Sequence, residues 1–69
     1  MEKRKGGILE SWWYHYGVLY GRIYGDPEWP SGKILRTSLV VTGSDYFVET
    51  KNTIYRLGNK AKGVYDALT

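Results

Sequence analysis

The segment at residues 18–25, VLYGRIYG, alternates between two kinds of side chain, and this alternation most narrows what the chain can fold into. One set of alternate positions is small or aliphatic: Leu19, Gly21, Ile23 and Gly25. The other set is mostly aromatic or charged: Val18, Tyr20, Arg22 and Tyr24. Alternate side chains of a β-strand point to opposite faces, so we expect the first set to face a core and the second to stay partly open to a ligand.

Four further segments are rich in strand-forming residues and are bounded by turn residues. They are ILESWWY at 8–14, KILRTSLVVT at 33–42, YFVET at 46–50 and TIYRLG at 53–58. We place a turn closed by Gly17 before the second strand and a tight KN turn before the fifth, where Asn52 tolerates a positive φ. Residues 33–42 carry apolar side chains on both faces, which predicts a central strand with Leu35, Thr37, Leu39 and Val41 on one side. The fold class predicted from these strands is all-β, a small single-domain antiparallel five-stranded SH3-like barrel.

The 69 residues predict one domain of marginal size, because a body this small buries only about 60% of the surface of its unfolded chain. The chain has no cysteine for a disulfide, so we expect packing or a homo-oligomer to add stability. We assign residues 1–7 to a flexible basic N-terminal arm and residues 8–69 to the barrel domain. The predicted core includes Leu19, Ile23 and at least one of Trp12 and Trp13. A docked turn near the C-terminal end would use Val64, Tyr65 and Leu68.

The chain is poorly supplied for catalysis. It has one histidine, His15, no cysteine and only scattered carboxylates, so we predict no enzyme activity, no catalytic residues, no metal site and no cofactor. The GNKAKG segment lacks the spacing of a phosphate-binding Walker loop. No apolar run approaches the roughly 20 residues of a membrane span, and the first residues lack the apolar stretch of a signal peptide. We therefore expect a soluble cytoplasmic protein.

Binding by rings and cations is better supported. The formal net charge is +3, and seven tyrosines against one phenylalanine favour rings at partly solvent-exposed surfaces. Bases stack on such rings, and basic side chains capture phosphates. The candidate ligand-binding residues combine these groups with hydroxyl and amide groups: Tyr20, Arg22, Tyr24, Trp29, Arg36, Thr37, Ser38, Lys51 and Asn52. The alternative, that the rings pack as a core and Trp29 closes one end of the barrel, stays open.

The order GVLYGRIYGDPEWPSGKILRTSLVV followed by VETKNTIYRLG resembles a recurring pattern in small uncharacterised β-rich proteins of bacteriophages and mobile elements. The resemblance covers roughly residues 17–58, although the pattern has His-Pro and Phe in the loop where this chain has Asp26, Pro27 and Trp29. It implies a protein that acts by binding something of the host.

On this resemblance we expect a non-enzymatic anti-defence protein in the host bacterial cell, which sequesters a phosphate-bearing nucleotide signal where protomers meet. Arg22, Arg36 and Lys51 would hold the phosphates. Two alternatives remain. One is a nucleic-acid-binding β-module that grips the backbone with the basic arm, Lys60 and Lys62. The other is an inhibitor that docks directly on a host defence protein.

Overall fold

A computed structural model describes residues 3–61, which form six β-strands and no helix. The strands are β1 (Arg4–His15), β2 (Val18–Tyr24), β3 (Lys33–Arg36), β4 (Val40–Gly43), β5 (Phe47–Thr50) and β6 (Thr53–Leu57). They form one sheet in the order β3-β2-β1-β6-β5-β4. The all-β prediction is confirmed.

The prediction of a five-stranded antiparallel SH3-like barrel is wrong, since the sheet has six strands, is mixed and does not close. Two antiparallel meanders, β1–β2–β3 and β4–β5–β6, meet where β1 lies parallel to β6. The parallel register pairs Ile8 with Arg56 and Leu9 with Leu57. The 12 residues of β1 are enough for residues 4–9 to pair with β6 and for residues 8–15 to pair with β2 on the other side. A parallel pair needs a long connection, and here that connection is the rest of the sheet.

The predicted central strand at 33–42 is also wrong, because it divides into β3 and β4, which form the two edges of the sheet. Thr37 lies in the break and is buried. Its hydroxyl oxygen accepts a hydrogen bond from the Leu19 amide at 3.0 Å and donates one to the Ser38 carbonyl at 2.8 Å. The break turns the chain, so that Leu39 and Val41, predicted to share a face with the buried Leu35, are 67% and 65% exposed.

The strand β1 begins at Arg4, so it takes in residues 4–7, which we had assigned to the flexible arm. The Arg4 amide donates to the Asn52 carbonyl at 2.8 Å, which ties the start of β1 to the β5–β6 turn. Gly7 is buried against the Tyr24 carbonyl, where any side chain would clash. Backbone contacts therefore join residues 4–7 of the basic segment to the sheet. The predicted docked turn near the C-terminal end lies outside the described residues.

The core lies on one face of the curled sheet. It is formed by Leu9, Trp12, Leu19, Ile23, Leu35, Val48 and Tyr55. Burial of each such side chain stabilises the fold by about 1.5–3 kcal/mol. The predictions for Leu19, Ile23 and one of the two adjacent tryptophans are confirmed, because all three are buried.

A β-bulge decides how the two adjacent tryptophans are placed. The pairing of β1 with β2 shifts between Glu10 and Trp13, and Ser11 has a φ of 54°. After the bulge, Trp12 points into the core and donates from Nε1 to the Gly58 carbonyl at 3.1 Å. A Cβ on Gly21 would lie 3.2 Å from the Trp12 Cβ, so the glycine at this position lets β1 and β2 approach each other closely.

The β1–β2 connection is a two-residue turn made by Tyr16 and Gly17, which have φ values of 50° and 81°. Positive φ at both positions is typical of a type I′ turn, whose twist matches a hairpin. The turn predicted at Gly17 is thus confirmed. The KN connection joins β5 and β6 as predicted, but Asn52 does not adopt a positive φ.

Candidate nucleotide-binding face

The sheet has a second face, opposite the core, which we call the outer face. Residues that pair across neighbouring strands point to the same side, so the registers define this face without ambiguity. Its ring and cationic side chains are Trp13, His15, Tyr20, Arg22, Tyr24, Arg36, Arg56, Phe47 and Lys5. The described residues place no further strand over it. The outer face is therefore an open surface that combines rings with cations.

Trp13, Tyr20 and Arg36 form one row across β1, β2 and β3, because Trp13 pairs with Tyr20 and Tyr20 pairs with Arg36. The rings of Trp13 and Tyr20 are stacked, with centroids 5.2 Å apart and an interplanar angle of 10°. The His15 ring centroid lies 6.3 Å from that of Tyr20. Both stacked rings are half-buried, while Arg36 is exposed. We call Trp13, Tyr20 and Arg36 the first cluster.

Arg22 lies next to the first cluster on the same face of β2. Its Nη1 donates to the Gly32 carbonyl at 2.9 Å, which holds the guanidinium near the β2–β3 loop while the residue stays exposed. Glu10 pairs with Arg22 in the register, but its carboxylate accepts the Asn59 amide at 2.7 Å instead. Arg22 thus keeps donors for another acceptor, since a guanidinium carries five N–H groups.

Four of the predicted site residues come together on the outer face: Tyr20, Arg22, Tyr24 and Arg36. Thr37 does not join them, because it is 3% exposed and both functions of its hydroxyl are used by the backbone. Ser38 is exposed in the break between β3 and β4. Trp29 lies in the β2–β3 loop, 37% exposed, with Nζ of Lys33 5.9 Å from its ring centroid.

Lys51 and Asn52 lie at the opposite end of the sheet from the first cluster. Asn52 is bonded to Arg4, at the start of β1, whereas Trp13 is near the end of that strand. Nine residues of strand span about 30 Å, and the bulges shorten this somewhat. A mononucleotide held by the first cluster does not reach the β5–β6 turn.

Sequence reasoning did not select five of the ring and cationic residues of the outer face: Lys5, Trp13, His15, Phe47 and Arg56. Phe47 is 38% exposed, and Arg56 is exposed directly beside it across the β5–β6 pair. Successive side chains of a strand point to opposite faces, and Val48 and Tyr55 are buried in the core. The alternation in FVET and TIYRL could therefore have placed Phe47 and Arg56, their neighbours in sequence, on the outer face.

The β2–β3 loop is anchored by Asp26, whose side chain has no exposed area. The carboxylate accepts hydrogen bonds from Arg4 Nη1 at 3.0 Å, the Gly7 amide at 2.9 Å and the Glu28 amide at 2.8 Å. Burial alone would raise the pKa of Asp26, but these bonds and the Arg4 charge outweigh it and lower the pKa below its usual value. We call Asp26 and its three donors the clasp.

Other site types find little support in the part of the chain that the structure describes. Residues 3–61 hold no group of three or more His, Cys, Asp or Glu side chains that could bind a metal ion. Within the same span no helix has the length and apolar character needed to cross a membrane. A shallow depression of about 360 Å³, lined by Lys3, Lys5, Glu49 and Ile54, opens at one end of the outer face.

The comparisons with known proteins add no relative from which a role can be carried over. No protein-family model, no curated protein and no solved structure matches this chain. A function for this chain is therefore inferred from the rings and cationic side chains of the outer face.

Proposed function

We propose that this chain is a non-enzymatic binding protein whose outer face takes a phosphate-bearing nucleotide ligand. The observation that carries the proposal is the row of Trp13, Tyr20 and Arg36 across three strands. A nucleobase laid against the stacked pair extends it by one ring, which is worth about 1–3 kcal/mol per base. Arg36 stands directly beside Tyr20 and offers a fork of donors that matches phosphate oxygens.

The charge state of this face supports an anionic ligand. No carboxylate of residues 3–61 lies within 4.0 Å of a charged nitrogen of Arg22 or Arg36. Arg4, by contrast, lies 3.0 Å from Asp26 and is committed to the clasp. Guanidinium groups that the protein itself does not neutralise attract phosphate and bind it with charge-assisted hydrogen bonds.

The finer parts of the proposal rest on the resemblance to phage proteins. They are sequestration of a nucleotide signal of host defence, action in the cytoplasm of a host bacterium, and a homo-oligomer in which a second protomer covers the ligand. The openness of the outer face fits such a cover, because one short chain can hardly enclose a ligand alone.

Isothermal titration calorimetry with AMP, a cyclic dinucleotide and an octameric oligothymidine tests the binding proposal. The informative variant is Arg36→Gln, and the matched control is Lys33→Gln, which removes one cation from the same strand but lies opposite the buried Ile23 and so on the other face. We expect Arg36→Gln to weaken binding of at least one ligand about tenfold, the loss of one charge-assisted contact, and Lys33→Gln to change it less than twofold.

Two other outcomes of these titrations would contradict the proposal. Equal losses in the two variants would place the ligand at the β2–β3 loop, near Trp29, and contradict the outer face as the site. If none of the three ligands binds the folded wild-type protein, the nucleotide proposal fails, and docking on a host protein becomes the function to test by pull-down.

A further inference from the structure

A second group of rings and cations lies on the outer face beyond the first cluster. Tyr24 pairs with Ile8, Ile8 pairs with Arg56, and Arg56 pairs with Phe47, so these four side chains form a row across β2, β1, β6 and β5. Tyr24 is 41% and Phe47 38% exposed, which is high for rings that belong to strands. We call Tyr24, Arg56 and Phe47 the second cluster. It repeats the combination of rings with a guanidinium found in the first.

The two clusters are too far apart for one nucleotide. Tyr20 and Phe47 are three strands apart, about 14 Å, and the two rows are four residues apart along β2, about 13 Å, so the diagonal is roughly 20 Å. Neighbouring phosphates of a stacked strand are about 3.4 Å apart along its axis, and those of an unstacked strand are further apart, so this diagonal spans at most about six nucleotides. A ligand that uses both clusters must therefore be a chain of nucleotides.

The cations of the outer face outnumber its available carboxylates. Arg22, Arg36, Arg56 and Lys5 project from it, and no acidic side chain of residues 3–61 lies within 4.0 Å of their charged nitrogens. The same face carries two carboxylates against these four cations: Glu10, which accepts the Asn59 amide, and Glu49, which lies 3.9 Å from Lys3. A path that joins the two clusters thus offers repeated positive charge to a phosphate backbone.

The rings decide between a single strand and a duplex. Half-exposed rings that belong to a sheet can stack only on bases that are splayed out, since paired bases present their edges and not their faces. Exposed rings with interleaved arginines on an open sheet are typical of surfaces that bind single strands.

We infer that the ligand class is single-stranded nucleic acid, laid diagonally across the outer face from the first cluster to the second. This inference rests on the proposed function and deepens it. Bases stack on Trp13 and Tyr20 at one end and on Phe47 at the other, and Tyr24 flanks this path on β2. Arg36 and Arg56 bind phosphates near the two ends, and Arg22 binds between them.

Calorimetric titrations with oligothymidine and oligouridine of one, two, four, six and eight residues test the inference. We expect affinity to rise with length and to level off at about six nucleotides, and we expect a duplex of eight base pairs to bind at least tenfold more weakly than the octamer. A backbone held by three arginines predicts a slope of about −2 for log affinity against log salt concentration. The oligothymidine and oligouridine series distinguish DNA from RNA as the source.

Arg56→Gln separates the two clusters in this experiment, with Lys33→Gln as the control and thermal melting as the check on folding. We expect Arg56→Gln to weaken the octamer about tenfold and to change dinucleotide binding less than twofold, because the first cluster stays intact in this variant and still binds a dinucleotide.

Four results would overturn the inference. Affinity that does not depend on length, or equal loss of dinucleotide and octamer in Arg56→Gln, would confine the ligand to one cluster and leave the nucleotide proposal standing. Equal affinity for octamer and duplex would show that the outer face attracts nucleic acid only through its charge and that no base stacks on its rings. If no oligonucleotide and no mononucleotide binds, the inference and the proposed function fall together.

Discussion

The clasp around Asp26 gives a stability prediction whose sign depends on pH. Asp26→Asn keeps the shape of the side chain and removes its charge. The carboxylate accepts bonds from Arg4, Gly7 and Glu28, and the Asp26 side chain is fully buried while that of Arg4 is 26% exposed. An amide nitrogen would face at least one of these donors. The substitution therefore weakens the connection between the start of β1 and the β2–β3 loop.

The magnitude follows from the number of bonds and their burial. One hydrogen bond to a charged group is worth about 1.5–3 kcal/mol, and breaking a buried pair costs about 3–5 kcal/mol. Because Arg4 is partly solvated, we expect Asp26→Asn to lower the free energy of unfolding by about 2–4 kcal/mol at pH 7. In a protein of this size such a loss is a large fraction of the total stability.

The pH dependence follows from the lowered pKa of Asp26. A carboxyl whose pKa is lower in the folded state stabilises the fold fully above about pH 5, and this contribution is lost as pH falls through the ordinary value near 3.9 towards the folded one. The stability difference between wild type and Asp26→Asn should therefore be largest near neutral pH and shrink in acid.

Urea denaturation followed by tryptophan fluorescence at pH 7, 5, 4 and 3 measures this difference directly. Asp45→Asn is the matched control, because Asp45 is exposed and lies in the β4–β5 turn. We expect it to change stability by less than about 0.5 kcal/mol. A difference between Asp26→Asn and wild type that stays constant from pH 7 to pH 3, or that is no larger than in the control, would show that the charge of Asp26 does not stabilise the fold.

Two pairs of substitutions test the fold. Thr37→Val should lower the free energy of unfolding by about 1–3 kcal/mol, because it leaves the buried Leu19 amide without its acceptor. Thr42→Val, at an exposed position, should change it by less than about 0.5 kcal/mol, and equal melting temperatures of the two variants would contradict this. Gly17→Ala should cost about 1–2 kcal/mol because of its φ of 81°, and Gly17→Asn should cost less, since asparagine tolerates this region; the reverse order in denaturation experiments would count against the type I′ turn.

The parts of the fold that follow from local alternation were predictable. In β2 every second residue is buried, and the predicted division into a core face and an open face is confirmed by Leu19, Gly21 and Ile23 on the buried side. The same rule failed in KILRTSLVVT, because its pattern continues without interruption. Nothing in the sequence indicates that the Thr37 hydroxyl accepts a hydrogen bond from the Leu19 amide and that the chain turns there.

The candidate site was predictable only where it lies on neighbouring strands of one hairpin. Tyr20, Arg22 and Arg36 were selected for their ring and cation chemistry, and they lie together because β2 pairs with β3, the next strand in sequence. The contribution of Arg56 depends on the parallel pairing of β1 with β6, a long-range choice that no local pattern specifies. Trp13 was left undecided between core and surface because the bulge at Ser11 sets which tryptophan turns inward.

Backbone amide chemical shifts during titration of the ¹⁵N-labelled protein with octameric oligothymidine report where on the sheet a single strand lies. If the strand binds along the outer face, the largest changes occur at Trp13, Tyr20, Arg36 and Arg56. Changes confined to the loop around Trp29, or no change in a protein that remains folded, would contradict it.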